Sequence, residues 1–207
     1  MPVSYMEINL NALRHNLRVI RQHLPKEVNV LAVVKANAYG HGAVETLRIA
    51  MEEGYTAAAV ARVEEGAKLR EAGFTCPIYV LGLPLPEDML MGVKYDLTLP
   101  VDDTVDLDAF EDIAKGAGKT VEVMMPIDTG MNRIGTHPED VKPFLKKLAG
   151  YPHLHLHGTW THMATADCKD KSAALKQLDR FDEAIAQMPV TDDFVISSAN
   201  SAGVIDI

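Results

Sequence analysis

The feature that most constrains this chain is its rhythm: short apolar runs alternate with amphipathic stretches along almost all of its 207 residues. Leu10, Leu13, Leu17, Ile20 and Leu24 recur at spacings of three and four, which predicts a helix over Asn9–Leu24 closed by Pro25. Strands are then predicted at Val28–Val34, Thr56–Ala61, Pro77–Leu81, Tyr95–Leu99, Thr120–Ile127, His153–Thr161 and Phe194–Ser198. Between them the pattern predicts helices at Ala43–Glu53, Val63–Ala72, Pro86–Val93, Asp103–Ala117, Pro138–Leu148 and Lys171–Gln187. Such alternation implies a parallel sheet with helices outside it, either an open doubly wound sheet or a closed (β/α) barrel. Seven strands are visible, one fewer than a closed barrel of eight requires. Ser197–Gly203 reads as a strand followed by a helix start, and no linker or repeat divides the chain, so residues 1–207 are read as one domain.

Composition excludes several classes. A net charge of -9 with 20 scattered Lys and Arg residues is the wrong electrostatics for a nucleic-acid binder, which needs clustered cations. The only cysteines, Cys76 and Cys168, are far apart and suggest neither a disulfide framework nor a zinc ribbon. Met1–Glu7 lacks the basic-then-apolar pattern of a signal peptide, and no apolar stretch reaches the ~20 residues that span a bilayer. A cytoplasmic protein without membrane association is expected.

Chemistry-bearing residues fall where predicted strands end. The run Val30–Val34 stops at Lys35, which would sit at the rim of an apolar interior, where an amine can serve as a nucleophile. Asp128, His162 and Asn200 occupy equivalent positions, and Arg133 lies in a loop framed by Gly130 and Gly135, a natural clamp for a carboxylate or phosphate. In a barrel such ends converge on one face. Asn200 and Ser201 stand at a helix start, where free amides can cradle a phosphate. His153, His155 and His157 alternate and would share one strand face, but they lie at its N-terminal end with no carboxylate cluster beside them, so no metal site is expected. Gly40-His41-Gly42 lacks the third glycine of a dinucleotide fingerprint, and there is no Walker motif.

Four motifs in register give the sequence a resemblance to alanine racemase, a family of pyridoxal phosphate enzymes built from a barrel and a β-domain. They are Ala32–Gly42 (AVVKANAYGHG), Asp128–Gly135 (DTGMNRIG), Thr161–Asp167 (THMATAD) and Ala199–Gly203 (ANSAG). The resemblance implies an α/β fold, a (β/α)8 TIM-type barrel cut short before its eighth strand, and a homodimeric, cytoplasmic isomerase that supplies D-alanine as a peptidoglycan precursor. It makes Lys35 the Schiff-base lysine and one of two catalytic bases, with Tyr39 on the cofactor phosphate. Arg133 would face the substrate carboxylate and the cofactor's phenolic oxygen. His162 would orient an arginine beneath the pyridine nitrogen, and Asn200 and Ser201 would hold the phosphate.

Two departures from the family accompany these motifs. Family members often carry a lysine two residues before the Asp of the DTGM motif, where this chain has Pro126. The eighth strand with its arginine, and the β-domain with the tyrosine that acts as second base, would fall after Ile207, so an N-terminal portion with little activity of its own is expected. Alanine is the expected substrate and serine the second. A non-catalytic pyridoxal phosphate carrier barrel is the alternative, and a metal-dependent barrel hydrolase a third.

Overall fold

The computed structural model describes residues 4–207; Met1, Pro2 and Val3, part of the stretch read for a leader, lie outside the described residues. The first element is α1 (Leu10–His23), started by Asn9, whose side-chain oxygen accepts from the amides of Asn11 and Ala12. There follow β1 (Leu31–Val33), the short helical segment α2 (Lys35–Tyr39), α3 (Ala43–Glu52), β2 (Ala57–Val60), α4 (Val63–Glu71), β3 (Ile78–Val80) and α5 (Pro86–Lys94). The second half runs β4 (Leu99–Pro100), α6 (Leu107–Gly116), β5 (Val121–Ile127), α7 (Val141–Leu148), β6 (Leu154–Thr161), α8 (Ser172–Ile185), β7 (Val195–Ser197) and α9 (Ser201–Asp206).

All strand pairs are parallel and each strand lies beside its neighbour in sequence, in the orders β1-β2-β3 and β4-β5-β6-β7. Among the described residues one parallel bridge, Tyr79↔Thr98, joins the two sheets. The α/β reading with parallel sheets therefore holds, and among the described residues no pairing joins β7 to β1, so the seven strands form no closed barrel.

Period-two alternation sorts the strand residues between two faces. One face packs Val34, Val60, Val80, Val123, Met125 and Ile127 beneath helix residues such as Leu47, Leu69, Phe110, Phe144 and Phe181. The other gathers Ala57, Ala59, Tyr79 and Met124 with Leu31, Leu81, Trp160 and Val195. Ion pairs from Arg14 and Arg18 of α1 to Glu53 clasp α1 to the end of α3 and hold the Glu53 carboxyl at about 2. Among the described residues no helix is long and apolar enough to cross a membrane.

The strand expected over Tyr95–Leu99 is corrected to Leu99–Pro100. Tyr95 instead caps α5, and Asp96 takes a left-handed φ of 50°, so the chain is still turning where a strand was expected. The histidine trio is corrected too. His153 precedes β6, and its ring nitrogen lies 2.5 Å from Glu111 on α6. His157 stacks on Tyr79 and is the extra residue of a bulge, since Val123 pairs with Leu156 and Met124 with Gly158. Single carboxylates stand beside two of the histidines, Glu111 at His153 and Glu122 at 3.7 Å from His157.

Candidate active site at the C-terminal ends of the strands

β1 ends in a backbone conformation that periodicity does not announce. Val34 extends the ladder by donating to the Ala59 carbonyl at 2.9 Å, and Lys35 follows, half-buried. Then Ala36, Asn37, Ala38 and Tyr39 all take φ between 50° and 54°. Left-handed backbone costs an L-residue roughly 1–2 kcal/mol, so a run of non-glycine residues persists only where surrounding contacts impose it. Those contacts are present. Ala38 donates to the Val34 carbonyl at 2.8 Å and is itself buried in the helix-side core. The Asn37 carbonyl accepts from Gly42 at 2.9 Å, and its side-chain oxygen accepts from Ala43 at 2.9 Å, starting α3. The Glu65 carboxylate accepts from the Ala36 amide at 2.5 Å. Gly40 and Gly42, at φ of 91° and 90°, end the turn where a side chain would be strained. Tyr39 leaves this turn 62% exposed.

The loop after β5 is also fixed by its backbone. Asp128 is buried, and one carboxylate oxygen accepts from the amides of Gly130 at 2.9 Å and Asn132 at 3.0 Å. It thus shapes the turn that leads to Arg133. The loop returns alongside β5 through the bridge Ile127↔Thr136, with Thr136 donating to the Pro126 carbonyl at 2.9 Å. Gly135 makes this return possible: at φ of 114°, a Cβ there would stand 2.8 Å from the Pro126 oxygen. Backbone bonds around Pro126, rather than a side chain at that position, hold the loop that carries Arg133.

One residue missed by the sequence reading ties this loop to the next. Gln177, on α8, is buried, and its amide nitrogen donates to the Thr129 hydroxyl at 3.0 Å and to the His162 carbonyl at 3.1 Å. Its oxygen accepts from Ala164 at 2.9 Å. Thr129 and Thr161 share a hydrogen bond of 2.8 Å, and Thr161 donates to the Ile127 carbonyl. The signal was available: Gln177 falls in the buried helical row Ala174, Gln177, Phe181 and Ala184, where a polar side chain needs internal partners.

These supports bring Arg133 and His162 to one small cleft, lined also by Ile127, Met131, Ile134 and Trp160. Burial, then the charges of Arg133 and Lys35, push the His162 imidazole below its ordinary range. Two positive charges, Arg133 beside His162 in the cleft and Lys35 acting on the imidazole, thus stand out on a chain of net charge -9. Such a contrast focuses anions. Asn200 is engaged structurally: its oxygen caps α9 by accepting from Gly203 at 3.0 Å, and its nitrogen donates to the Met163 carbonyl at 3.2 Å. Ser201 stands exposed on the first turn of α9. A larger cavity, lined by residues such as Asp96, Lys119 and Glu122, lies at the N-terminal end of β5 and contains none of these groups.

The model of the alanine racemase N-terminal domain matches residues 8–207. The chain belongs to the alanine racemase N-terminal domain family. Alanine racemase from Methanococcus maripaludis is 37% identical over 205 residues, covering 98% of this chain and 55% of the relative. The solved alanine racemase of Clostridium difficile superposes with a TM-score of 0.90 at 35% identity, covering 96% of this chain and 53% of that one. A histidine racemase from Leuconostoc mesenteroides superposes with a TM-score of 0.84 at 29% identity, covering 96% of this chain and 54% of that one. The chain spans about half the length of the curated relatives it matches. All four family motifs lie at strand ends or in the loops and helix starts that follow them.

Proposed function

We propose that this chain is the anchor-bearing part of a pyridoxal 5'-phosphate-dependent amino-acid racemase that interconverts L- and D-alanine. The observation that carries the reading is Lys35 at the C-terminal end of β1 together with Arg133 and His162 in one cleft after β5 and β6, within a chain of this family. The donor set fits the cofactor: an amine at the start of a hydrogen-bonded turn, a guanidinium for anionic groups and an uncharged imidazole beside it. Anchored at Lys35, the cofactor supplies a conjugated ring that makes the α-proton of an amino acid acidic.

The chain's own residues do the rest. Arg133 binds the substrate carboxylate by its planar fork. Lys35 moves a proton at Cα on one face. His162, held neutral, offers a hydrogen-bonding ring without adding a third positive charge. Tyr39, Asn200 and Ser201 bind phosphate. Inversion also needs a base on the opposite face, and this reading places it outside the 207 residues. In architecture, the strands are the first seven of a (β/α)8 barrel, residues 1–207 are a single domain of it, and the complete enzyme is a cytoplasmic homodimer.

Alanine is favoured over other side chains by the relatives, although the histidine racemase likeness means that the fold alone does not choose. The non-catalytic carrier predicts no chemistry at Cα. The test is alanine incubated with the chain and cofactor in deuterated water. The reading predicts exchange of the α-proton that depends on Lys35 and Arg133, with net racemisation at least about a hundredfold slower than in a two-base enzyme, the scale of one lost acid–base group. No exchange with cofactor bound favours the carrier, and a full racemisation rate contradicts the assignment of a single base.

A further inference from the structure

We propose that Glu65 is a positioning residue for Lys35, clamping the left-handed turn that carries the lysine. This rests on Lys35 being the cofactor anchor, as proposed above. Glu65 sits in the first turn of α4, on a different βα unit from the lysine. One of its oxygens accepts from the amides of Ala61 at 2.8 Å and Arg62 at 3.2 Å, where a carboxylate commonly satisfies the open N-terminus of a helix. The other oxygen reaches 29 residues back in sequence to the Ala36 amide, at 2.5 Å. The Arg62 side chain pairs with Glu64, and among the described residues the hydrogen bonds that the Glu65 carboxylate accepts all come from backbone amides.

The bond matters because of where Ala36 stands. It is the first of four consecutive non-glycine residues with positive φ, directly after Lys35. Its amide has no backbone acceptor among the described residues, so without Glu65 a strained turn would also lose its first tether. The side chain thus uses one helix cap to fix two things, the start of α4 and the direction in which β1 delivers its lysine. Both oxygens must accept. A glutamine can satisfy only one side, because its NH2 would face an amide donor on the other.

The test uses the 207-residue chain, Glu65→Ala and Glu65→Gln. Three readouts apply: the pyridoxal 5'-phosphate concentration needed for the visible band, amide exchange at Ala36, and thermal melting to show that each variant folds. The clamp predicts that Glu65→Ala loses Ala36 protection and needs at least about tenfold more cofactor, the scale of one charge-assisted hydrogen bond. Glu65→Gln, expected to melt closer to the wild type, should be intermediate in both. An unchanged cofactor midpoint in a folded variant overturns the proposal, whether or not Ala36 protection falls. A wild-type chain with no band at any cofactor concentration instead overturns the anchor reading, and unchanged Ala36 protection in the variants would still overturn the clamp.

Discussion

Lys35 and His162 were legible as strand-end residues, because a polar side chain that interrupts an apolar run is conspicuous in sequence, and Arg133 as a cation in a loop framed by Gly130 and Gly135. Their supports were not. Glu65 follows Arg62 rather than a Ser or Thr, so no capping-box signature marks it, and the left-handed turn rests on Ala, Asn and Tyr, which do not announce positive φ as glycine does. His162 offers a test through pH. In the unfolded chain its imidazole titrates near the ordinary 6.5, whereas burial, Arg133 and Lys35 hold it lower in the fold. Between the two values the unfolded chain binds a proton that the folded chain does not, so stability present above about 6.5 is lost as pH falls toward the folded value. His162→Gln should flatten that slope in thermal melts, and an equal slope in the variant would show that the histidine does not titrate as its surroundings require.

At the scale of elements, predicted helices and strands match the observed ones wherever apolar spacing is long and regular, as in α1, α3, β5, β6 and α8. They drift where side-chain caps intervene. The helix expected from Asp103 begins at Leu107, because the Asp102 carboxylate first binds the Thr104 amide and Asp106 then caps by accepting from Ala109. The link between elements is the least legible part, since Gln177 joins loops more than a dozen residues away in sequence on either count. Gln177→Leu should lower stability by about 1–3 kcal/mol, the cost of leaving buried polar partners unmatched. It should also loosen Arg133 and His162 together. Chemical denaturation measures the first effect, and a loss below about 0.5 kcal/mol would place the Gln177 network outside the stabilising core.

For the whole molecule, the parallel α/β organisation follows from the repeated strand–helix rhythm, and seven strands appear in the expected order. The same rhythm counts one strand fewer than a closed barrel of eight requires. Here β1 and β7 each pair on one side only among the described residues, and Val33 and Ile196 on them remain 39% and 45% exposed. The sheets nonetheless carry Lys35, Arg133 and His162, from three βα units and with 127 positions from Lys35 to His162, at the same ends of their strands. That placement gives meaning to the family membership, and the cofactor anchor is its most direct expression. The decisive measurement is borohydride reduction of the chain with pyridoxal 5'-phosphate, followed by peptide mapping of the wild type and Lys35→Ala. The account predicts label on the peptide containing Lys35 and none in the variant; label of equal yield in Lys35→Ala, or on another lysine of the wild type, would contradict it.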